Sequence, residues 1–286
     1  SLVIVRSGFN DLNLQHSFND VLDGSVEQKL YLYNTFYMND YSDEQYVLLH
    51  SQCYQTKSIF LEPYPTSLRI VNVLYYSSLT NKKVINYLEN DLENLSLNIE
   101  YELDGNHLLE NYLALSLYEL VVGKEGQFTK QFARLLRAQF IDCEWHFEQS
   151  PMYQAILLER IQCYLAIAAS IHVKDRPIMR LCVEIVTKGI AYLELFHVRG
   201  TMLHFNDSTG GNSLSIKDLI NNNKLLGLNS PEQANASELI KNGFARIESP
   251  KHVLVVDTSK ILANHIPGHI HSATGTVKPF FLLKAA

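Results

Sequence analysis

The sequence offers few means of covalent or metal cross-linking. Its 286 residues include 4 cysteines. Cys53, Cys143, Cys163 and Cys182 show no CxxC spacing, and two of them lie in apolar helical runs, so they read as buried thiols and not as a disulfide framework or a metal knot. Long apolar runs are missing too. The longest, around Cys163 to Val173, carries His172 and is too short to span a bilayer. No basic start, apolar run and cleavage site of a signal peptide opens the chain. Positive charge is scarce: 24 Lys and Arg against 30 Asp and Glu leave a formal charge of −6, which argues against a general nucleic-acid binder. Lys124, Lys130, Arg134 and Arg137 fall close together, either as a local basic groove or as the solvated face of one helix. What is plentiful is apolar content, 47% of the chain, enough at this length to bury one large domain or one domain and part of a second.

Apolar periodicity predicts helices over Thr66 to Ser78, Lys83 to Tyr101, His107 to Val122, Gln127 to Ile141, Pro151 to Val173 and Pro177 to Val198, separated by short turns. A further helix over Val26 to Met38 is compatible with the pattern. In the segment from His107, Leu109, Tyr112, Leu113, Leu117, Leu120 and Val121 form one apolar face, with Glu110, Asn111 and Tyr118 off it. Such faces must be buried against neighbouring helices, so residues 1–240 read as an all-α array. Thr201 to Ser215 reads as a surface loop, followed by a helix over Ile216 to Leu228. From residue 241 the period shifts toward strands: Phe244 to Ile247, His252 to Asp257 and Thr276 to Leu283. Residues 241–286 therefore read as a partial sheet domain.

Three polar clusters stand out. In Glu148-Gln149-Ser150-Pro151-Met152-Tyr153, Ser150 is a good N-cap and Pro151 suits the first helical position. Tyr153 then sits at a helix mouth, where free N–H groups and the positive end of the helix dipole favour a phenolate or a nearby anion. His146 and Glu148 lie just upstream, beside the chain's single tryptophan, Trp145; an ordinary loop feeding a capped helix accounts for them equally. In Asp104-Gly105-Asn106-His107 a turn runs straight into a helix, and either Asp104 or Asn106 serves as a plain N-cap. In His265 to His271, the pair His269 and His271 shares one strand face, suitable for a base or a metal ligand, or simply for a solvated edge.

Five blocks, in order, carry a resemblance: Phe60 to Asn72 with Glu62-Pro63-Tyr64-Pro65; Glu100 to Asn111 with Gly105-Asn106-His107; His146 to Tyr153; Phe205-Asn206-Asp207-Ser208; and Pro267-Gly268-His269-Ile270-His271. Together they resemble the bacterial heparinase II/III family, polysaccharide lyases that also include oligoalginate lyases. The resemblance implies a mainly α fold, an incomplete (α/α) toroid followed by the start of an antiparallel β-sheet domain, with the active site in the cleft between the two. It implies β-elimination on uronate-containing, acidic glycans, no cofactor, no nucleic-acid or membrane partner, and a periplasmic or secreted location. Asn106 and His107 would hydrogen-bond the uronate carboxylate and stabilise the enolate-like intermediate. Tyr153 would protonate the leaving oxygen and, for groups on one sugar face, act as the base; His107 or His269 is the alternative base. His146 and Glu148 would bind substrate. On this reading Asn106, His107 and Tyr153 should converge on one concave rim, within roughly 10 to 12 Å of each other.

The sequence departs from the family pattern at three places. Gln154 stands where the family has His, Glu144-Trp145 where it has a Gly-Gly pair, and Ala273 where it has an acidic residue. With His271 as the one plausible ligand in that run, no metal is expected. The same departures keep a second reading open, a non-catalytic, glycan-binding relative.

Overall fold

The computed structural model describes residues 4, 6, 61–80, 88–124, 126–173, 176–206, 208, 213–229, 234–249, 252–258 and 280–284. The expected helix over Val26 to Met38, Cys53, and the stretch with His269, His271 and Ala273 lie outside them. Eight helices are described: α1 (Pro63–Thr80), α2 (Glu89–Leu97), α3 (Gly105–Val121), α4 (Gln127–Gln139), α5 (Pro151–Ser170), α6 (Pro177–Glu194), α7 (Ile216–Leu225) and α8 (Ala236–Lys241). Two short hairpins punctuate them, β1 (Phe140–Ile141) with β2 (Trp145–His146), and β3 (His197–Val198) with β4 (Thr201–Met202). A three-stranded antiparallel sheet follows, β5 (Phe244–Glu248), β6 (His252–Asp257) and β7 (Phe280–Lys284), in the order β5-β6-β7. Among the described residues no helix is long and apolar enough to cross a membrane.

Helix ends differ from the periodicity for identifiable reasons. The α4 segment stops at Gln139 because Asp142 and Cys143, at φ 52° and 63°, turn the chain back so that Ile141 pairs with Trp145. Arg199 (φ 55°) and Gly200 (φ 82°) make the corresponding turn after α6. The last turn of α5 closes at His172 (φ 60°), with the Val173 N–H returning to the Ala168 carbonyl at 2.9 Å, a left-handed helix cap. Lys130, Arg134 and Arg137 are exposed along α4.

The backbone divides into two compact units. The described residues of the first lie within Gly8–Phe132 and Ala166–Lys174; those of the second lie within Ile4–Ser7, Ala133–Leu165 and Asp175–Ala286.

In the first unit, α1 packs on α2 and α3. Leu68, Ile70, Val71 and Leu74 of α1 and Leu109, Leu113 and Leu117 of α3 are all buried. Arg69 and Asp91 form a wholly buried, two-point ion pair, with Nε to Oδ2 at 2.7 Å. The start of α4 is capped from α3: the Glu119 carboxylate accepts from the backbone N–H groups of Gly126, Phe128 and Thr129 at 3.2, 3.3 and 2.8 Å. Glu110 and Asn111, off the apolar stripe of α3, are buried as well, at 2% and 0% exposure, because polar partners receive them.

In the second unit, the core is aromatic. Trp145 stacks on Phe196 at 4.6 Å, and Phe244, the first residue of the sheet, meets Phe196 edge-on at 4.9 Å and Phe205 at 5.6 Å. The Arg246 guanidinium reaches the Leu195 and His197 carbonyls, so β5 is tied to the end of α6 by apolar and polar contacts together. An amide network of Gln162 with Asn222 and Asn223 joins α5 to α7. Cys163 and Cys182 are buried and free, with burial pushing both thiols up, so they are held as apolar groups.

Candidate functional site

The first unit presents Asn106 and His107 on the opening turn of α3. The chain enters this helix through two left-handed residues, Asp104 (φ 45°) and Gly105 (φ 60°). Asp104 holds the N-cap position but its side chain makes no capping hydrogen bond. Of the two N-cap candidates it is therefore Asp104, by position, and not Asn106: α3 begins at Gly105, placing Asn106 inside the first turn. Glycine carries the second positive φ without strain, whereas Asp104 is strained, and strain of this kind persists only where the surroundings enforce it. Asn106 is 7% exposed, and the His107 side chain is 36% exposed, so the imidazole is within reach of solvent.

Around His107 lies a set of groups that periodicity did not assign to it. Its Nδ1 is 3.2 Å from Glu100 Oε1. One face of the ring stacks on Tyr64, with centroids 4.2 Å apart and planes at 14°. The Tyr64 hydroxyl donates to Glu110 Oε1 at 3.3 Å. Burial raises the Glu62 carboxyl above its usual range, the charge of Glu100 adds to this, and His107 opposes it. The cluster thus sets a part-exposed imidazole beside carboxylates, and an imidazole N–H is able to donate to an anionic ligand. Tyr64, Glu100 and Glu110 all lie within the resemblance blocks, but spacing along the chain gives no sign that Tyr64 and Glu100 meet His107 or that Tyr64 meets Glu110.

The second unit holds the mouth of α5 just as tightly. Ser150 Oγ accepts from the Tyr153 N–H at 3.2 Å, the expected cap, and Pro151 occupies the first helical position. Tyr153 and Glu148 are half-buried. Gln149, at φ 60°, is clamped from both sides: its N–H donates to the His146 carbonyl at 3.0 Å, and its carbonyl accepts from Asn206 Nδ2 at 2.9 Å. Asn206 Nδ2 also reaches Asp257 Oδ2 at 3.3 Å, linking this loop to β6.

His146 was expected to bind substrate, and here the structure corrects the sequence. The residue is 1% exposed, its ring sits between Phe140 and Phe147, and Nε2 pairs with Gln139 Oε1 at 3.0 Å. Burial lowers its pKa to about 3, so it stays neutral and supports the loop from within.

Two departures from the family pattern are physically joined. Gln154 is fully buried; its Oε1 accepts from the His146 N–H at 2.9 Å, and its Nε2 donates to the carbonyls of Glu144 at 2.8 Å and Gly189 at 3.4 Å. Trp145, in place of a glycine, fills the aromatic core. A glutamine with both a donor and an acceptor can satisfy all three backbone groups at once, which one neutral imidazole could not.

Of the proposed site residues, Asn106 and His107 share the first unit, while His146, Glu148 and Tyr153 share the second. His269 lies outside the described residues. Among the described residues no group of three His, Cys, Asp or Glu could hold a metal ion.

No family model and no curated protein matches the chain. Among solved structures, it is similar to the crystal structure of heparinase III, with a TM-score of 0.57 and 15% identity, covering 96% of this chain and 51% of that one. The chain therefore spans about half the length of that structure. Over that span its fold is the heparinase III fold: mainly α, an incomplete (α/α) toroid followed by the start of an antiparallel sheet domain.

Proposed function

We propose that the chain acts as a polysaccharide lyase, cleaving uronate-containing glycans by β-elimination. The supporting observation is that, on a heparinase III fold, two helices open with restrained, partly exposed polar groups: His107 beside Asn106 on α3, and Tyr153 on a capped α5. In the reaction a base removes the C5 proton of the uronate, the C4–O bond breaks, and a C4=C5 double bond forms as the departing oxygen takes up a proton. The C5 proton is acidic enough only when the carboxylate charge is neutralised. Asn106 and His107 supply that neutralisation by donating to the carboxylate as charge builds on it. Tyr153 protonates the departing oxygen, and serves as base where both groups lie on one sugar face. For the opposite face, His107 or His269 is the base. Glu148 contributes to glycan binding near Tyr153.

A second reading, an acidic-glycan binder without turnover, is favoured by Ala273 in place of the acidic residue of the family pattern. The two separate in one assay. Alginate, heparan sulfate and other uronate polymers are incubated with the chain while ultraviolet absorbance is followed, since the unsaturated product absorbs and the polymer does not. Rising absorbance on at least one polymer supports the lyase; binding without any rise supports the binder.

A further inference from the structure

Glu100 is tied to His107 by a chain of hydrogen bonds in which every donor is determined. The backbone N–H of Glu100 donates to Asn111 Oδ1 at 3.0 Å, which settles the orientation of that amide. Asn111 Nδ2 must then donate, and it does so to Glu100 Oε2 at 3.0 Å and to Ser67 Oγ at 3.0 Å. The Ser67 hydroxyl in turn donates to the Pro63 carbonyl at 2.8 Å. Glu100 is thus gripped at its backbone and at one carboxylate oxygen, and its other oxygen faces His107 Nδ1 at 3.2 Å. A carboxylate can only accept, so the hydrogen sits on Nδ1. Tyr64, stacked on the ring, holds its plane.

We propose that Glu100 is a positioning residue for His107: it locks the imidazole in the Nδ1–H tautomer, so that Nε2 is the nitrogen that gains or loses the proton facing an anionic sugar. This rests on His107 acting at the uronate. Neutral imidazole in water prefers the opposite tautomer, so the lock has a measurable signature.

The test uses the whole chain with Glu100→Ala and Glu100→Gln, each checked for retained melting and circular dichroism. Nitrogen-15 shifts of the His107 ring, assigned through His107→Gln, report the tautomer above the pH at which the ring is neutral. Wild type should show Nδ1–H, whereas Glu100→Ala and Glu100→Gln should both turn to Nε2–H, because the single amide oxygen of the glutamine is taken by the fixed donor Asn111 Nδ2 and its NH2 group then faces Nδ1 as a donor. Nε2–H in wild type, or Nδ1–H retained in Glu100→Ala, overturns the assignment. On a uronate polymer, Glu100→Ala and Glu100→Gln should each lower kcat at least about tenfold with KM little changed. Equal kcat in all three chains overturns the positioning role. Expected tautomers in a wild-type chain that turns over no uronate polymer would sink the lyase reading while leaving the Glu100–His107 lock in place.

Discussion

Lowering the pH from 7 to 4 should cost the second unit about 3 kcal/mol through His146 alone. The ring is enclosed, and its pKa falls from 6.5 to about 3 because burial penalises the imidazolium. With the folded value below the unfolded one, the unfolded chain takes up the proton first. The stabilising effect is therefore complete above pH 6.5 and is lost as the pH falls toward 3. Each pH unit in that window costs about 1.4 kcal/mol, so the window from 6.5 to 4 yields the figure above, with a ceiling of about 5 kcal/mol at still lower pH. Trp145 provides the readout: it is the one tryptophan of the chain, directly precedes His146 and lies in the aromatic core of the same unit. Urea unfolding followed by its fluorescence at pH 7, 6, 5 and 4 would give the pH slope for wild type and for His146→Gln. Titrating carboxylates contribute to both chains, so the difference in slope isolates the histidine, whatever the absolute stability of the variant. Equal slopes, or a His146 ring that titrates near 6.5 by NMR, would refute the reasoning.

Replacing Tyr153 by Phe should lower turnover on a uronate polymer by about 10²- to 10⁴-fold while melting and glycan affinity change little; an active variant removes the phenol from the chemistry. Gly189→Ala should destabilise the chain by about 1–3 kcal/mol in urea, because the added methyl would come 2.8 Å from both Gln154 Nε2 and Leu158 Cδ2; an unchanged midpoint would mean that α6 shifts freely. Asp91→Ala leaves the buried Arg69 guanidinium without its carboxylate and should cost about 3–5 kcal/mol; a loss under about 1 kcal/mol would show the ion pair to be dispensable.

How far the sequence could be read follows from the range of the forces involved. Helices α1, α3, α5, α6 and α7 and strands β5 and β6 declare themselves through apolar spacing, caps and β-branched runs, all of which act within a few residues. The Ser150 cap is legible for the same reason. Periodicity takes β1 and β3 as helix ends and β2 and β4 as loop, since two-residue strands are too short to impose a period. The expected α2 segment overruns the observed C-terminal end, Leu97, because apolar spacing alone does not say where a helix stops.

The amino-acid sequence alone determined most of the helical segments, where β5 and β6 begin, and that a phenol and an Asn-His pair stand at two helix starts, because those outcomes rest on local capping and periodicity. Tertiary structure decided what each group can do. It enclosed His146 between aromatic rings, gave buried Gln154 three backbone partners, and set Glu100 against His107. Tyr64 and Glu110 are 46 residues apart in sequence, and Ser67 and Asn111 are 44. A repeat of apolar residues states which side chains turn inward; only packing of the whole chain states which polar groups they meet there.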